Sequence, residues 1–269
     1  MLWQLQSRLS PSKFFVKEFV KPVKFYARKG LAGVTGNIYS GLHEFDDMAF
    51  LLHFLRKEDR FFDVGSNVGS FTLLASGICG AKSITVEPVT STFDILNNNV
   101  ALNNLGDKVT TINAAAGGKI GMITFTSDED TTNHVVAEDE EKTPGTITVP
   151  VITVDSLSAN GVPALIKIDV EGYETEVLKG MNETLDSPTL KAIIIELNGS
   201  GARYGYDEEK IHQLFLSKKF NPYTYDPFSR AMKAMESYGK HNTIYCRDED
   251  FISTRLKEAA GIKIMGETI

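Results

Sequence analysis

One stretch of this sequence limits its possible folds more than any other, and it lies at residues 61–72. It reads FFDVGSNVGSFT: an apolar run ends in Asp63, a turn contains Gly65 and Gly69, and apolar residues then recur at helical spacing. Glycine readily adopts the left-handed backbone angles of a tight turn. Asn67 lies between the two glycines, and asparagine is the residue that adopts these angles most readily after glycine. A strand that leads into a helix through such a turn is typical of the first unit of α/β nucleotide-binding proteins.

A second predicted strand supplies an acid where such a unit needs one. Residues 83–88 read SITVEP, and Glu87 follows Gly69 by 18 positions. An acidic side chain at the end of the second strand is placed to bind both hydroxyls of a ribose. Two later predicted strands end at Asp169 and Glu196. Because the carboxyl ends of parallel strands share one edge of a sheet, we expect all these acids to line one crevice.

The rest of the chain alternates predicted strands with predicted helices. Strands are expected at 60–63, 82–86, 108–113, 164–168, 190–196, 220–225 and 242–247, and helices at 46–55, 70–79, 171–179, 207–218 and from Thr90 or Ser91 to just before Gly106. Two stretches of alternating pattern, 119–126 and 146–154, predict further strands, and the acidic segment 127–145 between them is predicted to be a mobile loop. The order of elements predicts an α/β fold with a doubly wound, mainly parallel seven-stranded sheet.

At 269 residues the chain is long enough for one large domain with an appendage. We divide it into an N-terminal helical extension or cap at 1–58, a core at 59–250 and a C-terminal tail at 251–269. Within the extension, residues 11–30 are predicted to be helical up to Pro22, and the glycine-rich residues 31–45 to form loops or short turns.

Charge is spread unevenly along the chain. Residues 1–30 carry a net charge of +6, whereas the remaining residues carry −13. The basic segment suits either peripheral contact with anionic lipid or an acidic partner, or a solvated face packed on an acidic body, and both interpretations stay open. The acidic balance of the whole chain argues against a nucleic-acid partner.

Two further features bear on where the chain works. No apolar run approaches the roughly 18 residues that a membrane-spanning helix needs, so no span is predicted. The two cysteines, Cys79 and Cys246, give no disulfide framework and no cluster of metal ligands. A reducing compartment, the cytoplasm, is therefore expected.

Five segments together resemble the FkbM-type S-adenosylmethionine-dependent methyltransferases. In the family's order they are FFDVGSNVGSFT at 61–72, TVEP at 85–88, LNNN at 96–99 with LN at 102–103, ALIKIDVEGYETEVLKG at 164–180 and IIIELNG at 193–199. The resemblance covers about residues 39–200 and implies the Rossmann-like fold of class I methyltransferases. It also implies the reaction, which is O-methylation of a sugar, glycan or polyketide-type hydroxyl by direct in-line displacement.

The resemblance implies a set of residues that bind S-adenosylmethionine. They are Asp63, Gly65, Ser66, Asn67, Gly69, Glu87, Asn113, Ala114, Asp169 and Glu44. Asp63 would orient the turn and the ligand's amino group, and the two glycines of the turn would admit the amino-acid moiety. Glu87 would hold the ribose through charge-assisted hydrogen bonds.

Asp169 and Glu171 would lie at the reacting centre. Together with His134 they are the candidates for the base that takes the hydroxyl proton, and the choice among them stays open. In-line positioning can supply about 7–11 kcal/mol and a general base about 3–5 kcal/mol, so positioning should dominate. We favour a reaction without metal, but Mg²⁺ bound by Asp169, Glu196 and Asn198 is an open alternative.

Two other functions compete with methyl transfer. An acid at the end of the second strand also serves nicotinamide cofactors, although the turn here is not Gly-x-Gly-x-x-Gly. A binding module that retains a nucleoside pocket without catalysis is the other alternative. The sequence leaves the identity of the acceptor and the oligomeric state open.

Overall fold

A computed structural model describes residues 2–10, 12–127, 133–137 and 145–269 of the chain. The helices are α1 (Leu2–Leu9), α2 (Ala32–Ser40), α3 (Phe45–Phe54), α4 (Ser70–Gly77), α5 (Thr90–Leu102), α6 (Val154–Ser158), α7 (Glu174–Lys179), α8 (Asn182–Asp186), α9 (Glu208–Ser217) and α10 (Glu249–Glu258), with a 3₁₀ helix at Ser200–Tyr204. The strands are β1 (Phe15–Glu18), β2 (Lys24–Ala27), β3 (Arg60–Val64), β4 (Lys82–Val86), β5 (Val109–Ile112), β6 (Ala115–Ala116), β7 (Gly121–Thr126), β8 (Thr146–Ile152), β9 (Leu165–Ile168), β10 (Ala192–Glu196), β11 (Asn221–Asp226), β12 (Ala231–Ala234), β13 (Asn242–Cys246), β14 (Lys263–Ile264) and β15 (Glu267–Thr268).

The main sheet confirms the predicted α/β fold. Its strand order is β12-β11-β13-β10-β9-β3-β4-β5, and the run from β10 to β5 is parallel. Strands β13 and β12 run antiparallel to their neighbours. The sheet has eight strands among the described residues, one more than predicted, because β12 folds back on β11 as a hairpin.

The chain order places a topological switch between β3 and β9. From β3 the chain builds outward through β4 to β5, and it then returns to β9 and builds to the other side through β10. Ligands of open α/β sheets bind at such a switch point, beyond the carboxyl ends of the strands.

The two inner strands on one side of the switch, β9 and β10, are buried along their whole length except for Glu196 at the tip of β10. Strands with helices on both faces are mostly apolar, since neither face meets water, and Lys167 is the charged exception within β9. One apolar core packs α3, α4 and α10 against one face of the sheet, and another packs α6, α7 and α9 against the other. The switch point is therefore held by a rigid frame.

A small sheet completes the cavity side of the fold. Its order is β6-β8-β7, and β7 and β8 confirm the two alternating stretches predicted as strands. The loop predicted at 127–145 falls largely on residues 128–132 and 138–144, which lie outside the described residues. Of its described part, Val135 forms an antiparallel bridge with Phe125.

The N-terminal prediction was wrong in two places. Residues 11–30 contain the hairpin β1–β2 instead of a helix, with Lys21–Pro22 as a cis peptide between the strands. The hairpin forms because Phe25 and Ala27 alternate onto one face and are buried there. The glycine-rich stretch predicted as loop contains α2, so the predicted extension at 1–58 is only partly helical.

Helix α2 contains glycine at position 36 because the ring of His43 packs directly against it. A Cβ atom on Gly36 would lie 2.4 Å from the His43 ring, so only glycine fits there. Val34 and Asn37 of the same helix are buried, and this tertiary packing outweighs the low helix propensity of glycine.

Two observations concern the chain ends and membranes. The region predicted as a tail carries most of α10, which packs on α3, and the hairpin β14–β15. Within the described ranges, no helix has the length and apolar character that crossing a bilayer requires.

Candidate active site

A cavity of about 290 Å³ lies at the switch point, beyond the carboxyl ends of β3, β4, β9 and β10. Most residues that the sequence predicted for the site line it. They are Glu44, Asp63, Gly65, Ser66, Asn67, Glu87, Ala114, Asp169, Glu171 and Glu196. Gly69, Asn113, His134 and Asn198 are not part of the lining.

Asp63 is buried at the end of β3 and holds the start of α4. Its Oδ2 accepts hydrogen bonds from the backbone N–H of Thr72 at 3.0 Å and from the Thr72 hydroxyl at 2.6 Å. Its Oδ1 is also buried, and no described residue donates a hydrogen bond to it. Burial raises the pKa of Asp63 to about 6. The unused oxygen can therefore accept a hydrogen bond from a ligand in the cavity.

The turn after β3 has the predicted left-handed angles, with φ of 79° at Gly65, 51° at Asn67 and 88° at Gly69. Packing within the protein explains the glycines, however. A Cβ atom on Gly65 would lie 1.7 Å from the carbonyl oxygen of Asp169, and one on Gly69 would lie 2.5 Å from Leu96 Cδ1. The glycines thus let the turn pack directly against the carboxyl end of β9 and against α5.

Glu87 lies at this turn and is buried away from bulk solvent. Its Oε2 accepts the backbone N–H of Asn67 at 2.9 Å, and its Oε1 accepts that of Val89 at 2.9 Å. Burial raises the pKa of Glu87 to about 7. Asn113 lies behind the cavity wall, where its Nδ2 donates to the carbonyls of Glu87 at 2.8 Å and Pro88 at 3.0 Å. Asn113 therefore positions the acid without lining the cavity.

Ser66 and Ala114 complete the wall around this part of the cavity. Ser66 is buried, and its hydroxyl donates to the carbonyl of Val86 at 3.3 Å. Ala114 follows β5, is buried and lines the cavity.

Lys167 is a site residue to which the sequence analysis gave no role. Its Nζ lies 2.6 Å from Asp169 Oδ2 and 4.8 Å from the centroid of the Phe71 ring, and it lines the cavity. Burial acts to lower the pKa of Lys167, but the carboxylates of Asp169, Glu44 and Asp63 outweigh it and hold that pKa above its ordinary value. The ammonium group is therefore a fixed positive charge beneath Asp169.

Three carboxyl groups meet at the mouth of the cavity. One oxygen from each of Asp169, Glu171 and Glu196 lies within 4.8 Å of the other two. Burial, followed by the charge of Asp169, raises the pKa of Glu171 to about 7 and that of Glu196 to about 8. Asn198 is exposed and its Oδ1 accepts the backbone N–H of Ser200 at 2.9 Å. The cluster thus brings together two of the three predicted Mg²⁺ ligands, with Glu171 in the place predicted for Asn198.

His134 and Glu44, two further predicted site residues, come from the small-sheet side and from the start of α3. His134 is buried between Asn133 and Val135, which line the cavity, and its charge lowers the pKa of Glu171. Glu44 lines the cavity at the start of α3, where its Oε2 accepts a hydrogen bond from Asn242 at 2.7 Å.

The sequence analysis also missed one wall of the cavity. Helix α2 and the turn after it contribute Asn37 and His43 to the lining. Asn37 donates to the Ser70 hydroxyl at 3.1 Å and accepts the backbone N–H of His43 at 2.7 Å. These contacts fasten α2 to the first turn of α4. No local signal identified them, since this stretch was predicted to be loop.

Comparisons with known proteins identify the family. The model of the Methyltransferase FkbM domain matches residues 63–223. The hexuronic acid methyltransferase AglP of Haloferax volcanii is 30% identical over 183 residues, which cover 66% of this chain and 70% of that protein. The chain belongs to the FkbM methyltransferase family. This confirms the predicted S-adenosylmethionine-dependent methyltransferase and sets aside the nicotinamide-dependent oxidoreductase.

Solved structures similar to this FkbM methyltransferase include other methyltransferases. A precorrin-6y C5,15-methyltransferase from Geobacter metallireducens has a TM-score of 0.43 at 11% identity and covers 76% of this chain and 88% of its own. A tRNA (uracil-54, C5)-methyltransferase from Pyrococcus abyssi, in complex with S-adenosyl-L-homocysteine, has a TM-score of 0.46 at 11% identity and covers 87% of this chain and 44% of its own.

The residues of the FkbM site fit S-adenosylmethionine. The unused Oδ1 of Asp63 suits the ammonium group of its amino-acid part, and the Glu87 carboxylate at the adjacent turn suits the ribose hydroxyls. The acidic character of the cavity suits a ligand that carries a sulfonium cation as well.

Proposed function

We propose that this chain O-methylates a hydroxyl group of a sugar residue in a glycan. The observation that carries the proposal is the 30% identity to a hexuronic acid methyltransferase over 66% of the chain. The cluster of three carboxyl groups at the mouth of the cavity supports it, because carboxylates accept hydrogen bonds from the hydroxyl groups of a sugar.

Asp63, Glu87 and the turn between Gly65 and Gly69 would hold the cofactor. S-adenosylmethionine, when bound, supplies a methyl group activated by the sulfonium charge. Asp63 would accept the ammonium group through its unused oxygen, and Glu87 would accept the ribose hydroxyls on the lone pairs that Asn67 and Val89 leave free.

Asp169 and Glu171 would hold the acceptor hydroxyl and take its proton. Lys167 fixes the Asp169 side chain with an ion pair of 2.6 Å, so the carboxylate need not reorganise when the acceptor arrives. Holding the hydroxyl in line is worth about 7–11 kcal/mol, which exceeds the roughly 3–5 kcal/mol of proton removal. We therefore expect the geometry of Asp169 to matter more than its basicity.

Our proposal assigns the three-carboxyl cluster to proton transfer instead of Mg²⁺ binding. One oxygen of Asp169 already pairs with the Lys167 ammonium group, which reduces the negative charge that a cation would neutralise. Assay after treatment with EDTA tests this assignment: activity should be retained, whereas loss that added Mg²⁺ restores would reverse it.

The test of the proposed function is methyl transfer to a panel of sugars and glycans, followed by mass spectrometry. We expect a product heavier than the acceptor by one CH₂ group, with the new methyl group on oxygen. A protein that binds S-adenosylmethionine but methylates no sugar in the panel would contradict the proposal and favour the non-catalytic module.

A further inference from the structure

The 3₁₀ helix Ser200–Tyr204 lies beside the rim of the cavity, because it packs tightly on the turn after β9, whose residues Glu171 and Tyr173 line the cavity. A Cβ atom on Gly172, whose φ is 98°, would lie 2.6 Å from the carbonyl of Ser200 and 2.9 Å from the backbone nitrogen of Gly201. The 3₁₀ helix therefore has a fixed place beside Glu171 and Tyr173, the two neighbours of Gly172 that line the cavity.

Aromatic side chains join this rim to the cavity wall. The rings of Tyr173 and Tyr204 lie 5.4 Å apart at 76°, and the Tyr206 ring lies 5.8 Å from that of Tyr204. The Tyr204 hydroxyl donates to the carbonyl of Val135 at 2.7 Å, which ties this helix to a residue that lines the cavity. A wall of phenol rings beside a polar cluster suits the apolar face of a pyranose ring.

Arg203 is the cation on this rim. It is exposed, and within the described part of the chain its guanidinium group makes neither a hydrogen bond nor an ion pair. Its charge nevertheless reaches the adjacent turn, because it lowers the pKa of Glu171. The five planar N–H donors of this guanidinium group, on the residue next to Tyr204, are thus free for a ligand.

The negative charge of the cavity mouth indicates which kind of sugar would need the guanidinium group of Arg203. The mouth holds Asp169, Glu171 and Glu196, and the cation beneath it, Lys167, is already paired with Asp169. A neutral sugar would enter this mouth without help, whereas a sugar carboxylate would be repelled unless a cation met it at the rim. A guanidinium group binds a carboxylate through two parallel hydrogen bonds and so fixes its orientation.

We propose that Arg203 binds the carboxylate of a hexuronic acid acceptor, with Tyr173 and Tyr204 against the sugar ring. Arg203 is then a specificity-determining residue, because it touches the acceptor away from the hydroxyl that reacts. The inference rests on the proposed function, which requires a sugar acceptor but not a charged one.

The experiment compares two probes that differ at one carbon, 4-nitrophenyl β-D-glucuronide and 4-nitrophenyl β-D-glucoside. Calorimetry with the full chain saturated in S-adenosylhomocysteine should show tighter binding of the glucuronide. Arg203→Gln should weaken glucuronide binding by about 10- to 100-fold, as expected for charge-assisted hydrogen bonds, and leave glucoside binding unchanged. Arg203→Lys should lie between, since it keeps the charge and loses the planar pair of donors.

Lys233→Gln is the matched control, because it removes an exposed cation from β12, whose residues do not line the cavity. It should leave both affinities unchanged. Affinity for S-adenosylhomocysteine should be the same in all variants, which separates loss of acceptor contacts from misfolding.

Equal or undetectable binding of the two sugars by the unmodified protein would overturn the inference. So would a loss of equal size for both sugars in Arg203→Gln. Methylation of neutral sugars without any preference for uronic acids would overturn it and leave the proposed function standing. A glucuronide preference that Arg203→Gln abolishes, in a protein that methylates no sugar, would support the contact between Arg203 and the carboxylate but contradict the proposed function.

Discussion

Asp169 and Lys167 are two positions apart, so both side chains project from the same face of β9 and its extension. Replacing Asp169 by Asn keeps the shape of the side chain but removes its charge and its basicity. We expect kcat to fall by about 10²- to 10⁴-fold, the range for loss of a general base, with little change in cofactor affinity. Stopped assays of methyl transfer combined with calorimetry measure both quantities.

Combining Asp169→Asn with a substitution of Lys167 tests the role of the lysine. Lys167→Met leaves a half-buried carboxylate without its partner, so we expect lower stability and lower kcat than in the unmodified protein. In a double-mutant cycle, Lys167→Met should cost much less when Asp169 is already Asn. Additive effects would show that the lysine acts independently of Asp169.

Glu87 gives a prediction about pH. Burial raises its pKa to about 7, above the ordinary value, so its ionised form appears only as the pH rises through 7. The carboxylate is the form that accepts ribose hydroxyls, so affinity for S-adenosylhomocysteine should rise between pH 6 and pH 8. The stability of the ligand-free protein should fall between about pH 4.5 and pH 7, because in that range the unfolded chain has lost the proton that folded Glu87 still holds, and it should level off above pH 7.

Glu87→Gln separates these effects by removing the titration. Both pH dependences should weaken, and affinity at pH 8 should fall by about 10- to 100-fold with the loss of charged hydrogen bonds. Calorimetry at pH 6, 7 and 8 gives the affinities, and thermal unfolding in buffers from pH 4.5 to pH 8 gives the stabilities. An affinity at pH 8 equal to that of the unmodified protein would contradict the ribose assignment.

Which of these residues the sequence identifies depends on where they lie. Asp63, Glu87 and Asp169 were found because a strand end followed by a turn has a recognisable pattern, and parallel strands bring their ends together. Lys167 lies inside a strand, where its direction depends on packing that the pattern does not show. Arg203 lies on a 3₁₀ helix whose position is set by contact with Gly172, far away in sequence.

The turn between β3 and α4 shows how one backbone contact supports the element and the site together. In Gly65→Ala the new Cβ would strike the Asp169 carbonyl from a residue with left-handed φ. We expect a loss of at least about 2 kcal/mol in the free energy of unfolding, along with weaker cofactor binding. Denaturant unfolding and calorimetry provide the two measurements.

Gly106→Ala is the comparison variant for that experiment. Its φ lies outside the left-handed region, and a Cβ atom there would meet nothing within 4 Å. Its stability should stay within about 0.5 kcal/mol of the unmodified protein. Equal stabilities for the two variants would show that the close approach of Gly65 to Asp169 does not constrain the turn.

The elements differ in how well they were predicted, and length explains much of the difference. Long apolar strands such as β10 and helices such as α5 have several periods of their pattern and were predicted closely. The strands of the N-terminal hairpin have four residues each, too few to distinguish period 2 from helical spacing. The hairpin depends instead on burial of Phe25 in an apolar cluster with side chains of α5.

At the scale of the whole molecule, the cavity wall comes from segments that are distant in sequence. Ligand binding should therefore raise the free energy of unfolding of the entire fold. A ligand that binds only the folded state adds about 2.7 kcal/mol at one hundred times its Kd. We therefore expect saturating S-adenosylmethionine or S-adenosylhomocysteine to raise Tm by about 5–10 °C, and NAD to leave it unchanged. Thermal unfolding with each ligand makes the comparison, and a rise with NAD of the same size would argue against a site specific for these ligands.

The match to the family model begins at Asp63, yet the cavity takes part of its wall from Asn37, His43 and Glu44. The model's last matched residue is 223, and β13, whose Asn242 donates to Glu44, lies beyond it. A fragment of residues 63–223 would lack one wall of the cavity. It would also lack β13, so the edge of β10 would lose its hydrogen-bonded neighbour. The segment that resembles other methyltransferases is therefore shorter than the segment that is needed to build the complete cavity.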